Sequence, residues 1–242
     1  MLDRPRARNA LTHAMYEGLA RIAGEVSADD AVRAWVVTGA GGEAFAAGTD
    51  IGGFRELRTA EDALAYEARV DRVVGAVEAC AKPVLAAVAG ACTGGGLALA
   101  GAADLRIAAA NARFGLPMAR TLGNTLSMAS HARLAALLGG PARVADLVMT
   151  ARLVGAEEAR AWGLVSEVLP DAAALEARAL ALAAEVASLA PLTLRATKEA
   201  LRRLRAGRAD GDDLVTGVYG SDDFREGVES FLARRPARWA GR

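Results

Sequence analysis

The run Val84–Ala103, VLAAVAGACTGGGLALAGAA, decides the fold. It carries no charge and has about the ~20-residue length of a membrane span. Its composition argues against one. Alanine and glycine dominate, and the consecutive glycines Gly94, Gly95 and Gly96 interrupt it at the centre. Glycine punctuates structure. The run is therefore predicted to be a buried strand over Val84–Ala89, a turn over Gly94–Gly96 and a short buried helix over Leu97–Ala102.

Upstream, Ala60–Ala81 is an amphipathic helix with Val70, Val73, Val74 and Val77 inward, ended by Pro83. Gly39–Gly53 is glycine-rich and aperiodic, hence a loop. Val32–Thr38 reads as a strand. Leu11, Met15, Leu19, Ile22 and Val26 repeat at helical spacing, with Thr12 as cap. Downstream, Asp104–Ala109 is a third strand. From Ser127 onward the chain is mostly helical, with breaks near Gly139-Gly140-Pro141, Gly163 and Pro191. Strand–helix alternation followed by helices predicts an α/β core with a helical C-terminal region.

The 242 residues, 53% hydrophobic, can build one large core. Arginine and lysine balance aspartate and glutamate at zero net charge, which argues against the concentrated basic face of a nucleic-acid binder. Two cysteines, Cys80 and Cys92, are too few for a disulfide framework and lack metal-ligand spacing. His13 and His131 are far apart in sequence, so no metal site is expected. The charged start MLDRPRARNA has no signal-peptide core. A reducing, cytoplasmic setting without membrane attachment is expected.

Gly39-Ala-Gly41-Gly-Glu-Ala44 follows a strand and matches a dinucleotide fingerprint. That motif requires a helix opening at its end, and the continuation FAAGTDIGG does not supply one. A nucleotide-dependent oxidoreductase is the distant alternative, and a helix starting near Gly42 would mark it. The stronger signal is a pair, Phe45–Ile51 (FAAGTDI) and Cys92–Leu99 (CTGGGLAL). Each follows a strand and lets backbone or ligand approach closely. The second opens a helix, whose free N–H groups attract negative charge. Two such donors meeting over a carbonyl form an oxyanion hole; singly, each motif is also a plain tight turn.

The segments Leu2-Asp-Arg-Pro5, Ala7-Arg-Asn-Ala-Leu11, Thr38-Gly39, Phe45–Ile51, Lys82-Pro83-Val84, Ala87-Val-Ala-Gly90 and Gly94–Gly96 resemble the enoyl-CoA hydratase/isomerase (crotonase) superfamily in order and spacing. So do Asp104, Phe114-Gly115, Pro117, Ala161–Ser166 and Arg225–Phe231. The resemblance implies a crotonase-type spiral of ββα units over residues 1–190. It also implies a C-terminal helical trimerisation region over 191–242, in a homotrimer or dimer of trimers. The substrate it implies is an acyl-CoA thioester, coenzyme A being part of that substrate and no separate cofactor being needed. Thr49 and Gly95 match the two N–H donors. Arg6, Ala7 and Arg8 match contacts to the adenine and phosphate region of CoA. Ala47 and Ile51 match the pantetheine path, and Arg234 a basic CoA contact. Arg6, Arg8 and Arg234 are equally readable as solvated surface charge.

The resemblance also locates departures. The two glutamates of a typical hydratase fall at Ala98 and Met118, neither of which moves a proton. Arg120, Asn124, Thr125, Ser127 and His131 remain as polar groups near the acyl pocket. For these the plain readings are a surface arginine, a helix-capping serine and an ordinary helical histidine. Asp50 is expected to bond loop backbone, and Glu56 is a weaker acid candidate. The family's first strand pair would precede Leu2; without it, a sheet edge would be exposed. Two functions follow as expectations. One is an enzyme that stabilises an enolate through Thr49 and Gly95, in decarboxylation, isomerisation or hydrolysis. The other is a non-catalytic acyl-CoA-binding or assembly subunit.

Overall fold

A computed structural model describes residues 1–242. The chain forms two four-stranded sheets. In the first, β1 (Trp35–Thr38), β3 (Val84–Val88), β5 (Leu105–Ala109) and β8 (Glu167–Leu169) lie side by side, all parallel. In the second, β2 (Ala44–Ala46), β4 (Ala91–Thr93) and β6 (Arg113–Gly115) are parallel and β7 (Leu153–Gly155) closes antiparallel. The pairs β1/β2, β3/β4 and β5/β6 each put one strand into each sheet. The first two pairs are followed by α2 (Ala60–Glu78) and α3 (Gly95–Ala102), giving ββα units.

The run Val84–Ala103 resolves into β3, β4 and α3, nearly all of it buried. Every residue of β3 is buried, as expected of a parallel strand covered on both faces. No single helix of the chain is long and apolar enough to cross a membrane. The helix begins at Gly95, two residues before the predicted start. Gly39–Gly53 contains β2 rather than being loop throughout, and no helix opens near Gly42. That removes the dinucleotide reading.

Helix α1 (His13–Ala28) is capped by Thr12, whose hydroxyl accepts from the Met15 N–H at 3.2 Å. Its buried residues are Tyr16, Leu19 and Ala23, so the buried face is rotated from the predicted stripe toward Tyr16. In α2, Thr59 and Asp62 form a reciprocal capping box, and Val70, Val73, Val74 and Val77 are buried as the spacing requires.

Backbone approaches bring the two halves of the site together. A β-carbon on Gly96 would overlap the Ala46 carbonyl oxygen, so only glycine lets α3 start against β2. Asn9, fully buried and left-handed (φ 55°), donates to the carbonyls of Ala40 (2.9 Å) and Ala44 (2.7 Å). It thereby fixes the N-terminal segment beside β2.

The later chain forms α4 (Met118–Thr121), α5 (Met128–Leu137), α6 (Pro141–Met149), α7 (Ala156–Ala161) and α8 (Ala172–Ala187). After residue 190 come α9 (Pro191–Arg205), α10 (Asp212–Tyr219) and α11 (Asp222–Leu232). The strands β7 and β8 lie within the region after Ser127 that the sequence presents as helices separated by breaks. Each is three residues long, too short for a periodic signal. Helix α9 is tied to the core by Lys198, whose Nζ donates to Asp104 Oδ2 at 2.7 Å. The same oxygen accepts from the Val84 N–H at 2.8 Å, so one carboxylate aligns β3 and the last helices.

Candidate active site

Thr49 follows β2, and Gly95 is the first residue of α3. Leu11 brackets Thr49: its N–H donates to Gly48 O and its carbonyl accepts from the Asp50 N–H, both at 2.9 Å. In extended backbone, successive residues present their N–H groups to opposite sides, so the Thr49 N–H faces away from Leu11. The Gly95 N–H belongs to the unpaired first turn of α3. Neither N–H donates to another protein group. A β-carbon on Gly95 would lie 3.6 Å from the Thr49 nitrogen and 3.0 Å from Thr49 Oγ1. Gly48 (φ 107°) and Gly94 (φ 50°) form the facing turns, in conformations that favour glycine.

Behind these loops runs a chain of hydroxyls. Tyr16 and Thr49 share a hydrogen bond of 2.9 Å, and Thr49 and Tyr66 one of 2.8 Å. Burial pushes the Tyr16 phenol well above its ordinary value, and burial raises Tyr66 as well. Both therefore stay protonated at neutral pH.

The two loops open onto a cleft of ≈ 270 Å³. Phe54, Val70, Met118, Leu122 and Leu126 make much of its wall apolar. No lysine or arginine lines it, and Glu67 is its one carboxylate. Glu67 projects from α2, and its Oε2 accepts from the Ser127 N–H at 3.0 Å. Burial raises the Glu67 carboxyl, the neighbouring Asp71 charge adds to that, and the Ser127 bond and His131 oppose it. Ser127 also caps α5 and donates its hydroxyl to Asp71 Oδ1 at 2.7 Å.

Of the residues singled out in the sequence, Thr49, Gly95, Ala47, Ile51, Ala98, Met118 and Asn124 meet in this wall. Arg120 is exposed on α4, outside the wall. Arg6, Ala7 and Arg8 are exposed in and after a short 3-10 turn, and the Arg8 carbonyl accepts from the Ala47 N–H at 3.0 Å. That bond places the Arg6–Arg8 segment beside the cleft. Arg234 is exposed just past α11 and does not line the cleft. Asp50 bonds loop backbone, as expected, accepting from the Gly52 N–H at 3.0 Å, and also pairs with Arg4 at 2.8 Å. His131 lies in α5 with Nδ1 3.0 Å from the Ser127 carbonyl. Sequence reasoning missed Tyr16, Tyr66 and Glu67. The last two stand four and three residues before Val70, so extending the valine stripe by one turn reaches them. A larger groove of ≈ 520 Å³ between the end of α2, α9 and α10 is strongly charged and contains neither loop.

The spiral of ββα units defines a crotonase fold, and the chain belongs to the enoyl-CoA hydratase/isomerase family, which it matches over residues 1–242. Among its relatives is the 2,3-dehydroadipyl-CoA hydratase of Escherichia coli, 35% identical over 100% of this chain and 94% of the relative. The short-chain-enoyl-CoA hydratase of Clostridium acetobutylicum is 32% identical over 97% of this chain and 90% of its own length. In structure, the chain superposes on an enoyl-CoA hydratase/carnithine racemase from Magnetospirillum magneticum. There the TM-score is 0.92 with 34% identity, covering 100% of this chain and 91% of the other. The enoyl-CoA hydratase of Bacillus anthracis gives 0.88 with 32% identity, over 100% and 94%.

Proposed function

We propose that this protein binds an acyl-CoA thioester and holds its carbonyl oxygen between the N–H groups of Thr49 and Gly95, stabilising the enolate formed at C2. The observation that carries this reading is the adjacency of two unclaimed backbone donors at the head of an apolar cleft. Each such donor is worth about 10²–10³ in rate, because it is aimed in advance at charge that develops only in the transition state.

The acyl group is neutral. A malonyl-type carboxylate would find no cation in the wall, with Arg120 outside it and Glu67 repelling it. Ala98 and Met118, at the positions where the family's hydratases carry glutamates, transfer no proton. Water addition is therefore slow in this reading, since a positioned acid or base is worth about 10²–10⁴. The exposed Arg6–Arg8 segment supplies phosphate contacts at the mouth, and Arg234 reaches a CoA from this or a neighbouring subunit of a trimer. The same apolar pair, Ala98 and Met118, favours a second reading, an acyl-CoA binder without turnover.

Isothermal titration with acetyl-, crotonyl- and malonyl-CoA, followed by mass spectrometry of the mixtures, tests the proposal. Binding of the neutral thioesters with little hydration is expected. No binding to any of them overturns both readings, and rapid hydration of crotonyl-CoA overturns the claim that Ala98 and Met118 disable water addition.

A further inference from the structure

One group in the cleft takes no part in holding the thioester carbonyl. Glu67 is the one carboxylate in the wall that also holds Thr49, Gly95, Ala98 and Met118. It stands on the face of α2 that bears Val70, three residues on and also in the wall, so its side chain shares the direction of the cleft. One of its oxygens is anchored by the Ser127 N–H, and the other has no protein partner. Ser127 is itself held by Asp71 one turn along α2. The result is an oriented, half-buried carboxyl in the cleft wall, with one oxygen unbonded.

We propose that Glu67 is the catalytic acid and base of this cleft, moving a proton from C2 to C4 of a neutral 3-enoyl thioester and so shifting its double bond into conjugation. The inference rests on the carbonyl-binding role of Thr49 and Gly95 proposed above. In the first step the C2–H bond breaks, the proton passes to the free Glu67 oxygen, and the electron pair forms the C1–C2 bond of an enolate. Its oxygen charge is held by the two N–H groups. In the second step the carbonyl re-forms, the C1–C2 pair becomes the C2–C3 double bond, and the former C3–C4 double-bond pair takes the proton from Glu67 at C4. The carboxylate is regenerated, and no water, oxidant or second acid is consumed. One carboxyl suffices for a proton that is taken and returned. Burial in the cleft, reinforced by Asp71 on the same helix and opposed by His131 on α5, brings the carboxyl closer to neutral pH. That is where a group serving in both directions works best.

The test follows C2 deuterium incorporation into butyryl-CoA in D₂O by mass spectrometry, and conversion of 3-hexenoyl-CoA to the 2-enoyl isomer. Acyl-CoA affinity is measured in parallel by calorimetry. Wild type is expected to exchange and isomerise. Glu67→Gln, which keeps an acceptor for the Ser127 N–H, is expected to bind within about twofold and to lose both reactions by about 10²–10⁴. Glu67→Asp should recover part of the exchange. The wild-type exchange rate should fall as pH drops through a midpoint above the ordinary glutamate range. Binding by wild type without exchange, or exchange that survives in Glu67→Gln, overturns the role of Glu67 alone. Failure of wild type to bind any acyl-CoA overturns the carbonyl-binding reading on which it stands.

Discussion

The backbone nitrogen of Thr49 lies 3.6 Å from the point that a β-carbon on Gly95 would occupy, and the Tyr16 hydroxyl is closer still. A methyl there intrudes between the two donors and against a buried phenol. Gly95→Ala is therefore expected to lower kcat/KM for any thioester reaction at least about 10²-fold, the worth of one displaced donor. Steady-state kinetics alongside circular dichroism checks this; unchanged kinetics in a folded variant would contradict it.

The hydroxyl chain behind Thr49 gives a second expectation. Tyr66→Phe leaves Thr49 Oγ1 bonded to Tyr16, and should cost about 0.5–1.5 kcal/mol of stability. Tyr16→Phe should cost more, because the phenol is 3% exposed and water cannot replace it readily. The double variant strips Thr49 of both partners and should depart from additivity by more than about 0.5 kcal/mol. Urea unfolding of the four proteins measures the coupling.

Glu78 at the end of α2 joins Arg133 of α5, at 3.1 Å, to Arg205 at the end of α9. Arg133 is 8% exposed, and its Nη1 has no partner at all. Glu78→Ala strands a buried guanidinium and should destabilise the fold by about 3–5 kcal/mol. Replacing Arg133 by Met as well should recover part of the loss, because an apolar pair of similar volume carries no desolvation penalty. Thermal unfolding of single and double variants tests the order.

The Arg202 and Arg203 guanidiniums hold the Glu199 carboxyl down at about 2. A carboxyl depressed in the folded state stabilises fully above its unfolded value of about 4.3 and loses that contribution as pH falls through the folded value. The stability gap between wild type and Glu199→Gln should thus be constant above about pH 5 and shrink toward about pH 2. Chemical denaturation across that range reads it directly; a gap that does not change with pH would contradict the assignment.

Much of the core was legible because burial imposes a period. The valine stripe of α2, the buried strand β3 and the helix α3 after the triple glycine read correctly from spacing and composition. The short strands β2, β4, β6, β7 and β8 did not, since three residues carry no periodic signal and their pairing is decided by distant partners. The same limit applied to the site. Thr49 and Gly95 stood out because backbone chemistry at tight turns leaves glycines in the sequence. Glu67 left no such mark: a glutamate on an amphipathic helix looks solvated, and only the packing of α2 over the cleft turns it inward. Tyr16 was hidden for the opposite reason, a polar tip on a residue that fits a buried helical stripe.

The most direct test of the account is isotope-edited infrared spectroscopy of butyryl-CoA carrying ¹³C at the thioester carbonyl, bound to wild type and to Gly95→Ala. Two converging N–H donors weaken the C=O bond, so the band should move to lower wavenumber on binding wild type and move much less on binding the variant. A bound carbonyl in wild type that absorbs where the free thioester does would contradict the account.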